Sequence, residues 1–248
     1  MSAELRGCFV TGTDTGVGKT VVAAAIVARL RALGAQVRAI KPLITGLDDP
    51  PDPHWPPDHE LLAQVAGCEP HEVILAGYGP PVSPHLAIEL AGAAAPTLDS
   101  MADGVRARAR MGGLGSVTVV EGVGGLLVPL GPEADVRDLA RALGLPLVIA
   151  ARPGLGTINH TLLTLQAARS AGLTVSGVVL TPWPQEPSVM ERSNLATIAD
   201  RGDVEVVTLP PVARADPALL AAAGVQLPLE RWLDPSSGGP KGRWGQSS

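Results

Sequence analysis

The sequence predicts an α/β fold, doubly wound, with a mostly parallel central sheet flanked by helices. Three observations carry this. Short Val- and Ile-rich runs recur along the chain, separated by longer helical patterns. The runs are mostly unbroken rather than alternating, as strands buried on both faces must be. Several helical patterns stop at a glycine (Gly34, Gly67, Gly144, Gly172), where a left-handed cap is expected. Strand and helix in that alternation describe βαβ units with helices on both faces of one sheet.

The elements follow in order. The apolar run at 7–11 is the first strand, and the Ala/Val-rich stretch 19–33 is the first helix. A second strand is expected over 37–42. Residues 48–57 are dense in Pro and Asp and read as a surface loop. Helices are expected over 58–66 and 98–110, and a strand over 117–121, where Val-Thr-Val-Val-Glu is all β-favouring until its last residue. Helix 136–143, strand 147–151, helix 159–171, strand 175–181, helix 189–200 and strand 204–209 complete the series. Residues 235–248 are rich in Gly, Ser and Pro and read as a disordered polar tail, leaving 1–234 as one domain.

Composition narrows the function. The 248 residues carry a net charge of −5, which offers no electrostatic footprint for nucleic acid or an anionic membrane. Aromatics are scarce, with four Trp, one Tyr and one Phe, so the core is expected to be aliphatic. Two cysteines do not make a disulfide framework, and Cys8, inside the first strand, reads as a buried free thiol. The sequence has no signal-like segment and no run long enough for a membrane span, so a cytoplasmic protein is expected.

The chemistry begins at Gly12-Thr13-Asp14-Thr15-Gly16-Val17-Gly18-Lys19-Thr20, between the first strand and the first helix. Glycines let backbone N–H groups turn inward around an anion, and the helix N-terminus adds partial positive charge. Thr13, Gly16, Val17 and Gly18 would supply that cradle, Lys19 would reach the β- and γ-phosphates, and the Thr20 hydroxyl would ligate Mg²⁺. The fold is therefore expected to be P-loop NTPase-like. Five residues rather than four separate Gly12 from Gly18, which fits the deviant form of the loop. Asp14 stands where many deviant loops carry a second lysine, which argues against a partitioning ATPase of that type.

Further candidates sit where other strands end, the edge at which ligands of such sheets bind. Lys41 closes the second strand, where a buried ammonium is costly unless it meets an anion. It reads either as a second cation for a phosphate or carboxylated substrate, or as a lysine emerging into solvent. Glu121 closes the third strand in a Walker B arrangement suited to Mg²⁺, or is a capping carboxylate. Gly122, Gly124 and Gly125 after it would allow backbone to approach substrate. Thr45-Gly46 reads as a substrate contact or a plain turn. Asp58 has a complete explanation as a helix N-cap. Ser83 and Asn159 each begin a helical pattern and could face an anionic group or act as caps.

As an ordered set, these motifs resemble the dethiobiotin synthetase family. The matching pieces are residues 12–20, Lys41-Pro42 with Thr45-Gly46, Ser83-Pro84-His85, Val120-Glu121-Gly122-Val123-Gly124-Gly125 and Leu155-Gly156-Thr157-Ile158-Asn159-His160, spread over two-thirds of the chain. The resemblance implies an ATP- and Mg²⁺-dependent cyclo-ligase acting on diaminopelargonic acid and CO₂. Lys19, Lys41 and Thr15 would be catalytic, and Thr20, Asp58 and Glu121 would hold Mg²⁺. Thr181 and Pro210 would join the loop at the nucleotide, and Thr45, Ser83, Gly122, Gly124, Gly125 and Asn159 would hold substrate. It also implies a homodimer that completes each substrate site across its boundary. Two departures stand out: Gly16 replaces a Glu found in some members, and Thr181 replaces an Asn that reads adenine in some. The alternatives are another ATP-dependent synthetase on this scaffold, which would need a nucleophilic cysteine that neither Cys8 nor Cys68 is placed to provide, or an ATPase switch.

Overall fold

A computed structural model describes residues 5–50, 52 and 55–233. The tail expected over 235–248 lies outside the described residues, as do residues 51, 53 and 54 of the Pro/Asp loop.

Seven strands form one sheet in the order β3-β2-β4-β1-β5-β6-β7. They are β1 (Gly7–Gly12), β2 (Val37–Ile44), β3 (Ile74–Gly77), β4 (Val117–Gly125), β5 (Leu147–Ala151), β6 (Val175–Leu180) and β7 (Val206–Thr208). Every pairing is parallel. The expected doubly wound architecture is present, and its parallelism is complete. β1 lies at the centre, so the loop that leaves it opens at the middle of the C-terminal edge.

Successive strand residues face opposite sides, and the core divides accordingly. Cys8 and Val10 join the cluster under α1 (Lys19–Ala32) and α2 (Asp58–Ala66). Phe9, between them, joins the cluster under α5 (Leu98–Arg110) and α6 (Val136–Leu143). All six residues of β1 are buried, which explains its unbroken apolar reading. The core is largely aliphatic as expected, although Phe9 and Trp232 are among its largest fully buried side chains. Trp232 belongs to α10 (Leu229–Leu233), and a Cβ on Gly177 would lie 2.6 Å from its ring.

The structure corrects several expected boundaries. β3 was not expected: it is a four-residue edge strand, mostly half-exposed, and too short to show a period. It follows α3 (Pro70–Val73), and α4 (Pro84–Leu90) comes after it. β4 does not stop at Glu121 but runs to Gly125, because its glycines keep pairing as far as Gly12↔Gly125. β2 likewise continues past Lys41 to Ile44. α7 (Thr157–Ser170) starts two residues before Asn159, capped by Gly156 at φ 90. α8 (Val189–Gly202) and α9 (Pro217–Ala223) complete the layers.

Candidate functional site

The loop from β1 to α1 has the geometry that its glycines suggest. A Cβ on Gly12 would lie 2.7 Å from Val17 Cγ2 and 3.0 Å from Lys19 Cγ, so only glycine lets the loop fold back this tightly. Gly18, the N-cap of α1, has φ 91, in the left-handed region that L side chains rarely adopt. Among the described residues, the backbone N–H groups of Gly16, Val17, Gly18, Lys19 and Thr20 donate to no protein acceptor. Free N–H groups at a helix start make an anion site. The Lys19 ammonium donates to the Asp14 carbonyl at 2.8 Å, folded over its own loop. Asp14, in the place of a second lysine, accepts from Thr15 N at 2.7 Å through its carboxylate.

The β2–β4 register builds the second half of the site. Ile40 opposes Val120, with both facing α5 and α6. The next residues, Lys41 and Glu121, therefore lie side by side on the α1–α2 face. The Lys41 ammonium donates to Glu121 Oε1 at 2.7 Å and to Asp58 Oδ2 at 2.6 Å. Thr20 Oγ1, in the first turn of α1, donates to the same Glu121 oxygen at 2.8 Å. Lys41 thus does not emerge into solvent: its side chain is 4% exposed, against 1% for Glu121 and 45% for Asp58.

Burial alone would neutralise such groups. Desolvation pulls the Lys41 ammonium down, but Glu121 and Asp58 outweigh it and hold its pKa above the ordinary value. Desolvation pushes the Asp58 carboxyl up, yet the Lys41 charge and hydrogen bond leave it below the usual carboxylate range. Glu121 is deeper: burial raises its carboxyl, and Lys41 pulls it back only partly. Burial lowers Lys19, with Glu121 opposing and Lys41 adding to the shift.

Asp58 is not the N-cap of α2. Pro57 holds that position without a capping side chain, and Asp58, the first helical residue, turns its carboxylate to Lys41. The oxygen donors Thr20, Asp58 and Glu121 suit a hard divalent cation such as Mg²⁺. One buried oxygen among them, Glu121 Oε2, has no hydrogen-bond partner, so the donor set has unused capacity and fits the ion.

A cavity of about 650 Å³ joins the two halves, lined by Thr15, Gly16, Gly18, Lys19, Thr20, Lys41, Thr45, Trp55, Asp58 and Gly124 among others. A second, of about 580 Å³, lies beyond β6 and β7, between Trp183, Gln185, Thr208, Pro210, Pro211 and Gln226. A third, of about 360 Å³, lies on the other side of the loop. Thr13, Asp14, Thr15 and Gly125 meet Leu126, Leu127, Val128 and, on α7, Leu163 and Thr164 there.

Most of the expected site residues converge on these cavities, with exceptions. Thr13 lines the third cavity, but its N–H donates to the Ala150 carbonyl at 3.0 Å and so is not part of the free cradle. Thr181 is 2% exposed, and its Cγ2 lies 2.8 Å from where a Cβ on Gly18 would sit, so it props the loop from below. Gly122 packs against Phe9 and Val136, on the α5–α6 side of the sheet. Ser83 caps α4 by position, with no side-chain capping bond, and lines none of the three cavities. Asn159 is exposed on α7, one turn before Leu163 of the third cavity. Trp55 and Gln226 were not expected at cavities: one lies within the Pro/Asp loop and the other ends the short 3₁₀ turn after α9, and neither place carries a motif.

A parallel sheet with an anion-binding loop at its centre, a lysine at the loop's end and a buried acid on the neighbouring strand defines a P-loop nucleotide-binding protein. A family model described as an AAA domain matches residues 6–217. The ATP-dependent dethiobiotin synthetase BioD of Mycobacterium avium (strain 104) is 42% identical over 215 residues, covering 86% of this chain and 89% of that protein. Proteins of the same description from Anaeromyxobacter sp. (strain Fw109-5) and Anaeromyxobacter dehalogenans (strain 2CP-1 / ATCC BAA-258) are 44% and 43% identical. They cover 71% and 79% of this chain, and 76% and 85% of their own lengths. The chain belongs to the ATP-dependent dethiobiotin synthetase family.

Proposed function

We propose that the chain closes the ureido ring of dethiobiotin from diaminopelargonic acid, CO₂ and ATP, releasing ADP and phosphate. The observation that carries this reading is the pair of buried ammonium groups, Lys19 and Lys41, on one cavity with the phosphate loop. A loop lysine alone serves any nucleotide-binding protein. A second buried lysine across the cavity suits a reaction that joins two anions.

The chemistry runs in three steps. One amine of the diamine, in its neutral form, adds to CO₂ and releases a proton to solvent, leaving a carbamate. A carbamate oxygen attacks the γ-phosphorus, and the bond to the bridging oxygen breaks with ADP as leaving group. The second amine, as the free base, then attacks the carbamoyl carbon of the mixed anhydride; the C–O bond to phosphate breaks, and the departing phosphate takes up the amine's proton as the ring closes. Carbamate and triphosphate repel, so the first task is to hold them together. The free loop N–H groups and Lys19 hold the phosphates, and Lys41 faces the carbamate. Thr15 and Thr45, which line the same cavity, donate to the reacting oxygens. No strong base is needed, because the carbamate is already an anion and phosphoryl transfer depends chiefly on positioning and charge. Thr20, Asp58 and Glu121 would hold Mg²⁺, which supplies charge neutralisation at the phosphate oxygens.

The remaining cavities fit the rest of the substrates. The base lies at the Trp183–Gln226 cavity beside Pro210, where amide side chains offer both donors and acceptors. The alkyl chain of the diamine lies against Leu126, Val128 and Leu163, with Gly125 beside it, and Asn159, one turn before Leu163 on α7, holds its polar end. Leu127, Leu155 and Leu163 are 54%, 93% and 55% exposed, and a second copy of the chain covers them in a homodimer. No described helix is long and apolar enough to cross a membrane.

The test is turnover of ATP by the purified protein with and without the diamine and bicarbonate. ADP should form stoichiometrically with dethiobiotin and require all three substrates. ATP hydrolysis at the same rate without the diamine overturns the assignment in favour of an ATPase switch.

A further inference from the structure

Arg152 follows the last residue of β5, Ala151, at the same sheet edge as the loop. It carries no motif, and its side chain reaches across to two carbonyl oxygens at the loop's tip. Its Nε donates to Gly16 O at 3.3 Å, and its Nη2 donates to Gly16 O at 3.2 Å and to Thr15 O at 3.4 Å.

A trans peptide is planar, and its C=O and N–H point in opposite directions. Thr15 O shares a peptide with Gly16 N–H, and Gly16 O shares one with Val17 N–H. A guanidinium that holds these two oxygens on one side of the loop therefore aims the two N–H groups to the other. Those N–H groups are among the loop donors that no protein acceptor uses in the described residues. The charge also polarises both peptides, which strengthens their N–H groups as donors. Arginine suits the task because its donors form a rigid planar fork that stays charged at any working pH. Glycine at position 16 favours the approach: its φ of 68 strains any L side chain, and a Cβ there would crowd Arg152 Nη2 at 3.1 Å.

We propose that Arg152 is a positioning residue for the phosphate-binding loop, fixing the Thr15–Gly16 and Gly16–Val17 peptides so that their N–H groups face the triphosphate. The proposal rests on reading this loop as the ATP phosphate site.

The experiment compares wild type, Arg152→Ala and Arg152→Lys by calorimetric binding of AMP-PNP with Mg²⁺, by KM and kcat for ATP, and by thermal melting without nucleotide. Arg152→Ala should weaken AMP-PNP binding and raise KM for ATP by about tenfold, the effect of losing one exposed charge-assisted contact. Its kcat should stay within about twofold and its KM for the diamine should not move, since uniform nucleotide binding is what is lost. Arg152→Lys should fall between the two, because an ammonium lacks the fork. AMP-PNP affinity within twofold of wild type in Arg152→Ala overturns the proposal. So does a kcat loss with KM for ATP unchanged, or a fall in melting temperature with the diamine and ATP equally affected. If wild type itself fails to bind AMP-PNP, the reading of the loop fails first.

Discussion

The Lys41 ammonium lies 2.7 Å from Glu121 Oε1, the two side chains being 4% and 1% exposed. Neighbouring strands of a parallel sheet thus bury a full charge pair beneath the nucleotide loop, and Asp58 closes it from the start of α2. Such a pair is poor evidence for stability, since desolvation offsets much of the attraction, but removing one partner leaves an uncompensated charge.

Lys41→Ala should therefore act twice. Turnover should fall by about 100-fold or more, the usual effect of deleting one preorganised charge. Stability should fall by about 2–3 kcal/mol, less than the 3–5 typical of a fully buried pair because Asp58 reaches water. Replacing both partners, as Lys41→Met/Glu121→Gln, should recover much of the stability and none of the turnover. Thermal melting beside a steady-state assay checks both halves. Near-normal turnover in Lys41→Ala would remove it from the reaction.

Lys19→Ala should also lower turnover by about 100-fold or more, but with little change in melting temperature, because among the described residues its ammonium hydrogen-bonds the Asp14 carbonyl and forms no ion pair. Melting curves that match those of Lys41→Ala would contradict the different surroundings of the two lysines.

Glu121→Gln should raise the Mg²⁺ concentration for half-maximal rate by about tenfold, while the fold survives because the amide keeps the shape of the carboxylate. An Mg²⁺ titration of initial rates measures it. An unchanged midpoint would exclude Glu121 as a ligand.

The enzyme should accept several triphosphates. Thr181 is buried against Gly18 and cannot present an amide to a base. The flexible amides of Gln185 and Gln226 can serve more than one donor–acceptor pattern. We expect kcat/KM for CTP and GTP within about tenfold of that for ATP, a spread of roughly 1.4 kcal/mol. A preference above a hundredfold for ATP would show that the base is read elsewhere.

Cys8 is fully buried, and desolvation pushes its thiol up to about 12. Only thiolate reacts with disulfide reagents, so the native protein should titrate one thiol, Cys68, and the denatured protein both. Fast reaction of two thiols in the native state would mean that β1 opens readily.

Much was legible in the chain alone, for reasons tied to particular residues. The glycines at 12, 16 and 18 are demanded locally, by positive φ or close approach, so they signal the loop without any partner. The central strands are apolar on both faces and showed themselves as unbroken runs. β3 did not, since a short, half-exposed edge strand depends on pairing with β2 rather than on its own pattern. Asp58 was open to an N-cap reading because α2 begins at it, while its carboxylate answers to a lysine on another element.

What the sequence by itself determined is the phosphate loop, the layered parallel fold and the chemical types at the sheet's edge, because these arise from periodicity and from residues whose constraints are local. What only the tertiary structure decided is which of them meet. The register of β2 on β4 sets Lys41 beside Glu121, and the position of β5 brings Arg152 to the carbonyls at the loop's tip. Contacts of that kind join residues 80 and 136 positions apart. They are fixed by strand order and packing, which leave no trace in local spacing.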